Sequence, residues 1–160
     1  MSHRLNKKTG LMLIAAVVTA APLSVLLADD DNATGIYKVR HDEYHKLGDA
    51  FKTIRDQSKT DAPDTAAIKS AAQVVHDASV NQFKWFPAGS GPKPGVKTRA
   101  KEEIWSKPQD FEAAQKLFAE QATKLNTVAA SGDNAAVRTQ FAATGKACKN
   151  CHDTFRVPEE

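Results

Sequence analysis

The chain has 160 residues, enough for one ordinary domain, with 22 Lys+Arg against 19 Asp+Glu and a formal charge of +3. Three of the bases, Arg4, Lys7 and Lys8, precede residue 29, and without them 19 residues of each sign remain. The basic balance therefore belongs to the first residues. No basic cluster interleaved with aromatics follows, which argues against a nucleic-acid or membrane-binding surface.

In chain order, the three bases lead into an uncharged apolar run from Leu11 to Ala28, the layout of a secretory signal peptide. Small residues offer cleavage after Ala20 or after Ala28. The second is preferred because the polar stretch Asp29-Asp30-Asp31-Asn32 starts there. An uncleaved anchor competes, since the run is just long enough to span a bilayer, but Pro22 and the small-residue flank count against it. The expected organisation is a signal peptide over residues 1–28 and a helical domain over residues 29–160, exported and free of the membrane once cleaved. Both methionines, Met1 and Met12, leave with the leader.

Four segments then carry helical periodicity. The first runs from about Thr34 to Ser58, with Tyr37, Tyr44, Leu47, Phe51 and Ile54 on one stripe. The second runs from about Asp64 to Gln82, with Ile68, Ala71, Val74, Val75 and Ala78. Pro108 looks like the first-turn proline of the third, with Ser106 as a possible cap, and Phe111, Ala114, Leu117, Phe118, Leu125 and Val128 along its apolar face. Gly132 ends it, and Asp133 is suited to cap the fourth, which carries Val137, Phe141, Thr144, Cys148, Cys151 and Phe155. The turns at 61–63 and 131–133 are short, as between antiparallel neighbours. Between helices two and three lies a long segment, residues 83–107, broken by prolines and glycines; such loops are usually functional, disordered or packed over a site. Trp85, Phe86 and Trp105 at its ends predict that burial pins it. The fold expected is all-α: an antiparallel four-helix bundle with one long loop between helices two and three.

The last helix carries Cys148-Lys149-Asn150-Cys151-His152, with the only two cysteines of the chain. C-x-x-C-H is the attachment signature of c-type haem: two thiols add across the porphyrin vinyls and the adjacent imidazole binds iron. On a helix the three side chains fall at i, i+3 and i+4 and face one flat ligand. A thioredoxin-like motif would open a helix after a strand, and no strand candidate surrounds this one. A zinc site would need a further ligand from His41, His45 or His76. A plain disulfide is open in an oxidising compartment. With no Met left after cleavage, His/Met ligation of the iron is excluded as long as the leader is removed or stays away from the haem.

The whole pattern resembles class II cytochromes c, and specifically the cytochrome c-prime branch. The resemblance rests on Arg40-x-x-x-Tyr44 and Gly48, on Trp85-Phe86 and the glycines after it, on Glu103-Ile104-Trp105-Ser106, and on the run from Cys148 to Arg156. It implies a periplasmic protein with one covalently attached haem c per chain, often a homodimer built on the first two helices. It also implies high-spin iron with no strong sixth ligand, and roles in electron transfer with an unidentified partner or in binding nitric oxide or carbon monoxide. Carried over by position, Cys148 and Cys151 would be the thioether anchors and His152 the proximal ligand. Arg40 would match the arginine near the propionates, with a solvated surface arginine as the alternative. Arg156 would lie beside the proximal imidazole, or simply complement the helix dipole.

Tyr44 would cap the open iron face, hinder ligands sterically and offer its hydroxyl to a bound diatomic; the alternative is a core tyrosine. His41 and His45 flank it, so a six-coordinate bis-histidine electron carrier is the competing function, while His76 reads as a surface or partly buried side chain. A peroxidase-like enzyme would want a polar distal acid/base pair, of which His41 near Tyr44 is a thin version. The expectation is a haem carrier and not an enzyme.

Overall fold

Apolar side chains at helical spacing, interrupted by turn residues, decide where the chain folds back. The structure, a computed structural model, describes residues 28–158, so the expected leader lies outside the described residues except for Ala28. The helices are α1 (Ala28–Gln57), α2 (Thr65–Asn81), a one-turn α3 (Glu103–Ser106), α4 (Pro108–Ser131) and α5 (Asn134–Phe155). The four long ones form the expected bundle, and no strand occurs among the described residues. α1 starts at Ala28, earlier than the stripe of large apolar residues indicates. None of the described helices is long and apolar enough to cross a membrane.

The ends are set by local chemistry. The Asp64 carboxylate accepts from the Ala67 amide at 2.9 Å, and Asp133 accepts from Ala135 and Ala136 at 2.9 and 3.0 Å. Each thereby satisfies amides that the first helical turn leaves without partners. Gly132 closes α4 at φ 75°, a left-handed conformation that costs glycine nothing. Pro108 is the first residue of α4, as expected, but Ser106 is not its cap. Residues 103–106 are themselves wound into α3, and the Ser106 hydroxyl turns back to the Glu102 carbonyl at 3.2 Å. A cap needs extended backbone, which a helical residue cannot supply.

Packing runs around the bundle from α1 to α2, α2 to α4 and α4 to α5, whereas α1 and α5 meet sparingly. The main core is built from Ala50 and Ile54, from Ile68, Ala71, Ala72 and Val75, from Phe118, Ala122, Leu125 and Ala129, and from Val137 and Ala147. Half of these are alanines, which let the helices approach closely. Leu125 is fully buried among them. Leu125→Ala is expected to cost about 2–5 kcal/mol in urea unfolding, since it leaves a cavity that neighbouring alanines cannot fill. A loss under about 1 kcal/mol would mean that this layer collapses freely.

A second cluster, Ile104, Phe111 and Phe155 with Phe86, Ala100, Trp105, Ala114 and Cys151, sits where the long loop meets the end of α5. The loop is pinned, as its aromatics indicated. Trp85 is buried, and the Trp105 indole N–H donates to the Pro87 carbonyl at 3.0 Å. Gly91 passes so close to Trp105 that a Cβ there would lie 3.3 Å from the indole ring. Farther on, Lys101 N–H donates to the Phe155 carbonyl at 3.0 Å and Val157 N–H to the Arg99 carbonyl at 2.8 Å. These bonds bracket an antiparallel bridge between Ala100 and Arg156, so the loop lies as a strap across the end of α5.

Candidate functional site

The edge where α1 and α5 stand apart holds a cavity of about 1230 Å³. That is larger than the roughly 300–1,000 Å³ of an ordinary small-molecule pocket. α1 supplies Arg40, Tyr44, Leu47, Gly48 and Phe51; α5 supplies Gly145, Cys148, Cys151 and His152; residues 96–100 of the strap close one side. Phe86, Ile104, Phe111 and Phe118 make its depth apolar. At one end Phe51 stacks on Phe141 with ring centroids 4.1 Å apart, bridging α1 and α5. At the other, Phe86, Phe111 and Phe155 meet edge to face, with centroids 4.9 and 5.1 Å apart.

All six residues singled out from the sequence, Arg40, Tyr44, Cys148, Cys151, His152 and Arg156, line this one cavity. Cys148, Cys151 and His152 lie on α5 in the i, i+3, i+4 relation that their spacing required. Both cysteines are free thiols and half-buried. Burial pushes the Cys148 thiol up to about 11, with Cys151 beside it adding to the effect, and burial alone pushes Cys151 up to about 11. A thioredoxin-like pair needs the opposite, a depressed thiol at a helix N-terminus. His152 is exposed at the cavity edge, one turn before the end of its helix.

Arg40 is not a surface arginine. It is 5% exposed, and its guanidinium lies over the Tyr37 and Phe86 rings at 4.7 and 4.9 Å. Nη2 donates to the Ser90 carbonyl at 2.7 Å, while Nη1 is buried without a hydrogen-bond partner. Burial lowers its pKa from the ordinary value, and nearby Tyr37 and Tyr44 oppose that. A buried guanidinium beside a cavity is a charge that an anionic group there would offset.

Tyr44 packs edge-on against Trp85, ring centroids 5.0 Å apart. Its hydroxyl donates to the Gln82 side-chain oxygen over a long 3.4 Å. Burial pushes the phenol well above its ordinary range, with the Cys151 thiol raising it further and Arg40 opposing. Gln82, also on the cavity wall, escaped sequence reasoning. It is a buried amide that donates to the Ser79 and Gln115 carbonyls at 3.2 and 3.4 Å, and Gln115 returns a bond to the Gln82 carbonyl at 3.3 Å. A lone glutamine at a helix end gives no periodic signal that could have marked it.

Arg156 sits just past α5 in extended backbone, half-buried, with its N–H donating to the His152 carbonyl at 3.1 Å. His41 and His45 border the cavity from α1 but are exposed, their rings tilted against each other at 4.3 Å. His41 Nδ1 lies 3.2 Å from an Asp42 carboxylate oxygen. His76 is on α2 beside Asp77 and does not line the cavity. Among the described residues no three histidine, cysteine or acidic side chains gather as a metal site would require.

The donors and the shape fit a haem. A flat, mainly apolar macrocycle suits the gap between α1 and α5, Cys148, Cys151 and His152 line it from one helix, and the Arg40 guanidinium beside it would offset the charge of a carboxylate.

Comparison with known proteins agrees. The family model described as Cytochrome C' matches residues 36–156. A cytochrome c' of Pararhodospirillum photometricum is 34% identical over 110 residues, covering 68% of this chain and 86% of the relative. Among solved structures, a cytochrome c' described for its unusual ligand-controlled dimer dissociation superimposes with a TM-score of 0.74 at 26% identity, covering 79% of this chain and 97% of its own. The nitric oxide complex of a cytochrome c prime variant from Alcaligenes xylosoxidans gives a TM-score of 0.71 at 28% identity, with coverage of 79% and 97%. The match spans nearly all the described residues, from residue 36, just before Arg40, to the arginine after the motif, and the chain belongs to the cytochrome c' family of haem proteins.

Proposed function

We propose that the cavity holds one haem c, joined to the chain by thioethers at Cys148 and Cys151, with His152 as the single protein ligand of iron. When bound, haem would supply a redox-active iron able to take a diatomic ligand. The chain's own residues do the rest. Arg40 would pair a propionate, Arg156 would lie by the His152 imidazole and weaken its donation to iron, and Tyr44 would fill the face of the cavity opposite His152. What supports this most directly is that Cys148, Cys151, His152 and Arg40 all line one mainly apolar cavity.

In this proposal the protein is exported by its leader, works in the periplasm as a homodimer, and binds nitric oxide or carbon monoxide or passes single electrons, without catalysing a reaction. Tyr44 acts by bulk and by its hydroxyl, which lies 3.4 Å from the Gln82 side-chain oxygen and can turn from it to a bound gas. His41 and His45 border the same cavity, and they keep the six-coordinate electron carrier as the second reading.

Absorption and EPR spectra of the holoprotein, ferric and ferrous, separate the two. High-spin spectra and a carbon monoxide adduct are expected for the open site. Low-spin spectra unaffected by carbon monoxide would assign the sixth position to a histidine and leave electron transfer alone. A preparation with zinc and no porphyrin would end the haem proposal itself.

A further inference from the structure

We infer that Gln82 is a positioning residue: it holds the Tyr44 hydroxyl back from a bound gas and so lowers the affinity of the cavity for that gas. This rests on the haem reading proposed above and adds to it what limits the ligand.

Gln82 is 4% exposed at the end of α2, on the wall of the cavity that Tyr44, Cys148, Cys151 and His152 also line. A primary amide buried in this way has two donor hydrogens and one oxygen to satisfy. Its Nε2 donates to the Ser79 carbonyl at 3.2 Å and to the Gln115 carbonyl of α4 at 3.4 Å. Carbonyls only accept, so the amide cannot be turned over: the nitrogen must face them, and the oxygen is left for another donor. That donor is the Tyr44 hydroxyl, at 3.4 Å. Gln115 in turn donates its own amide to the Gln82 backbone carbonyl at 3.3 Å, so main chain and side chain of Gln82 are both tied to α4.

Tyr44 supplies a proton that it keeps. Burial, above all, holds its phenol neutral. The ring is set edge-on against Trp85, which leaves the hydroxyl oxygen in place and only the proton free to rotate. At 3.4 Å the bond to Gln82 is long, so it restrains the proton without locking it. A bound gas has to win that proton from Gln82, and what it gains is reduced by the bond that Gln82 loses. A poor acceptor such as carbon monoxide does not repay the exchange, and the proton stays on Gln82.

The test uses ferrous holoprotein under carbon monoxide as parent, Gln82→Leu, Tyr44→Phe and the double variant. Leucine fills a similar volume with neither donor nor acceptor, while phenylalanine keeps the ring and removes only the proton. Two spectra are read: the infrared stretch of the bound gas, and the Cζ chemical shifts of isotope-labelled tyrosine. Only Tyr37 and Tyr44 contribute to the second, being the chain's two tyrosines.

Gln82→Leu is expected to move the stretch to lower wavenumber and to tighten carbon monoxide binding about two- to tenfold, the worth of one net hydrogen bond. The Tyr44 Cζ signal should move with it and the Tyr37 signal stay. Tyr44→Phe should leave the parent stretch in place yet abolish the shift that Gln82→Leu produces. A stretch that ignores Gln82→Leu, or that moves equally with phenylalanine at position 44, would overturn the inference and reduce Gln82 to a staple between α2 and α4. If Gln82→Leu does not fold, Tyr44→Phe decides: a clear rise of the stretch in the parent background would show the proton already on the gas and overturn the inference. Low-spin iron that refuses carbon monoxide would overturn the gas-binding reading and this inference together, whereas a normal adduct with an unmoved stretch would overturn this inference alone.

Discussion

Replacing both Cys148 and Cys151 with alanine is expected to leave a chain that gives up all its haem to acidified acetone, where the parent retains all of it. The two thiols are the chain's whole cysteine complement, so no other side chain can form the thioether. The consequence for stability follows from the architecture. α1 and α5 meet sparingly and flank a space of about 1230 Å³, so without the bound group that edge has little to hold it beyond the Phe51–Phe141 stack. Anything that binds the native state alone stabilises it, and a covalent group cannot dissociate on unfolding in the same way. The double variant should therefore also melt well below the parent holoprotein, with an unfolding midpoint that depends on added haem. Haem that resists extraction in the double variant would place the attachment elsewhere.

The Arg40→Met variant is expected to change sign between two forms of the protein. Without haem, the parent keeps a guanidinium buried with Nη1 unserved, a costly arrangement that the Ser90 bond and the aromatic stacking only partly offset. A methionine of similar length packs the same channel with no charge to bury, so the variant apoprotein should lie within about 1 kcal/mol of its parent or above it. With haem, Nη1 gains a carboxylate oxygen, and its loss should cost about 1.5–3 kcal/mol. Urea unfolding of both forms measures the difference. An equal loss in each would mean that Arg40 serves the loop at Ser90 and has no role toward the haem.

How far the sequence carried depends on what kind of signal each feature leaves. The four long helices repeat apolar residues at a spacing set by the backbone, and Asp64, Asp133 and Gly132 act within a few residues, so these were legible. The cysteine motif was legible for the same reason, since its geometry is contained in one helical turn. Arg40 and Arg156 were reached only through resemblance. Nothing local distinguishes a buried arginine from a solvated one, and it takes Ser90 and Phe86, far along the chain, to bury Arg40. Gln82 and Gln115 were missed because their mutual hydrogen bonds join α4 to the end of α2 without any periodic trace.

The last turn of a terminal helix ordinarily frays, and the residues beyond it are commonly treated as expendable. Here that economy fails. Val157 accepts from Arg99 Nε and Nη2 at 3.0 and 2.8 Å and donates its own N–H to the Arg99 carbonyl, while Phe155 accepts from Lys101. The strap works as a clasp whose one half lies after the cysteine motif, on a tail with no conspicuous chemistry. A protease that nibbles from the carboxyl end, or a purification tag fused there, would strain the clasp before touching a single residue of the motif.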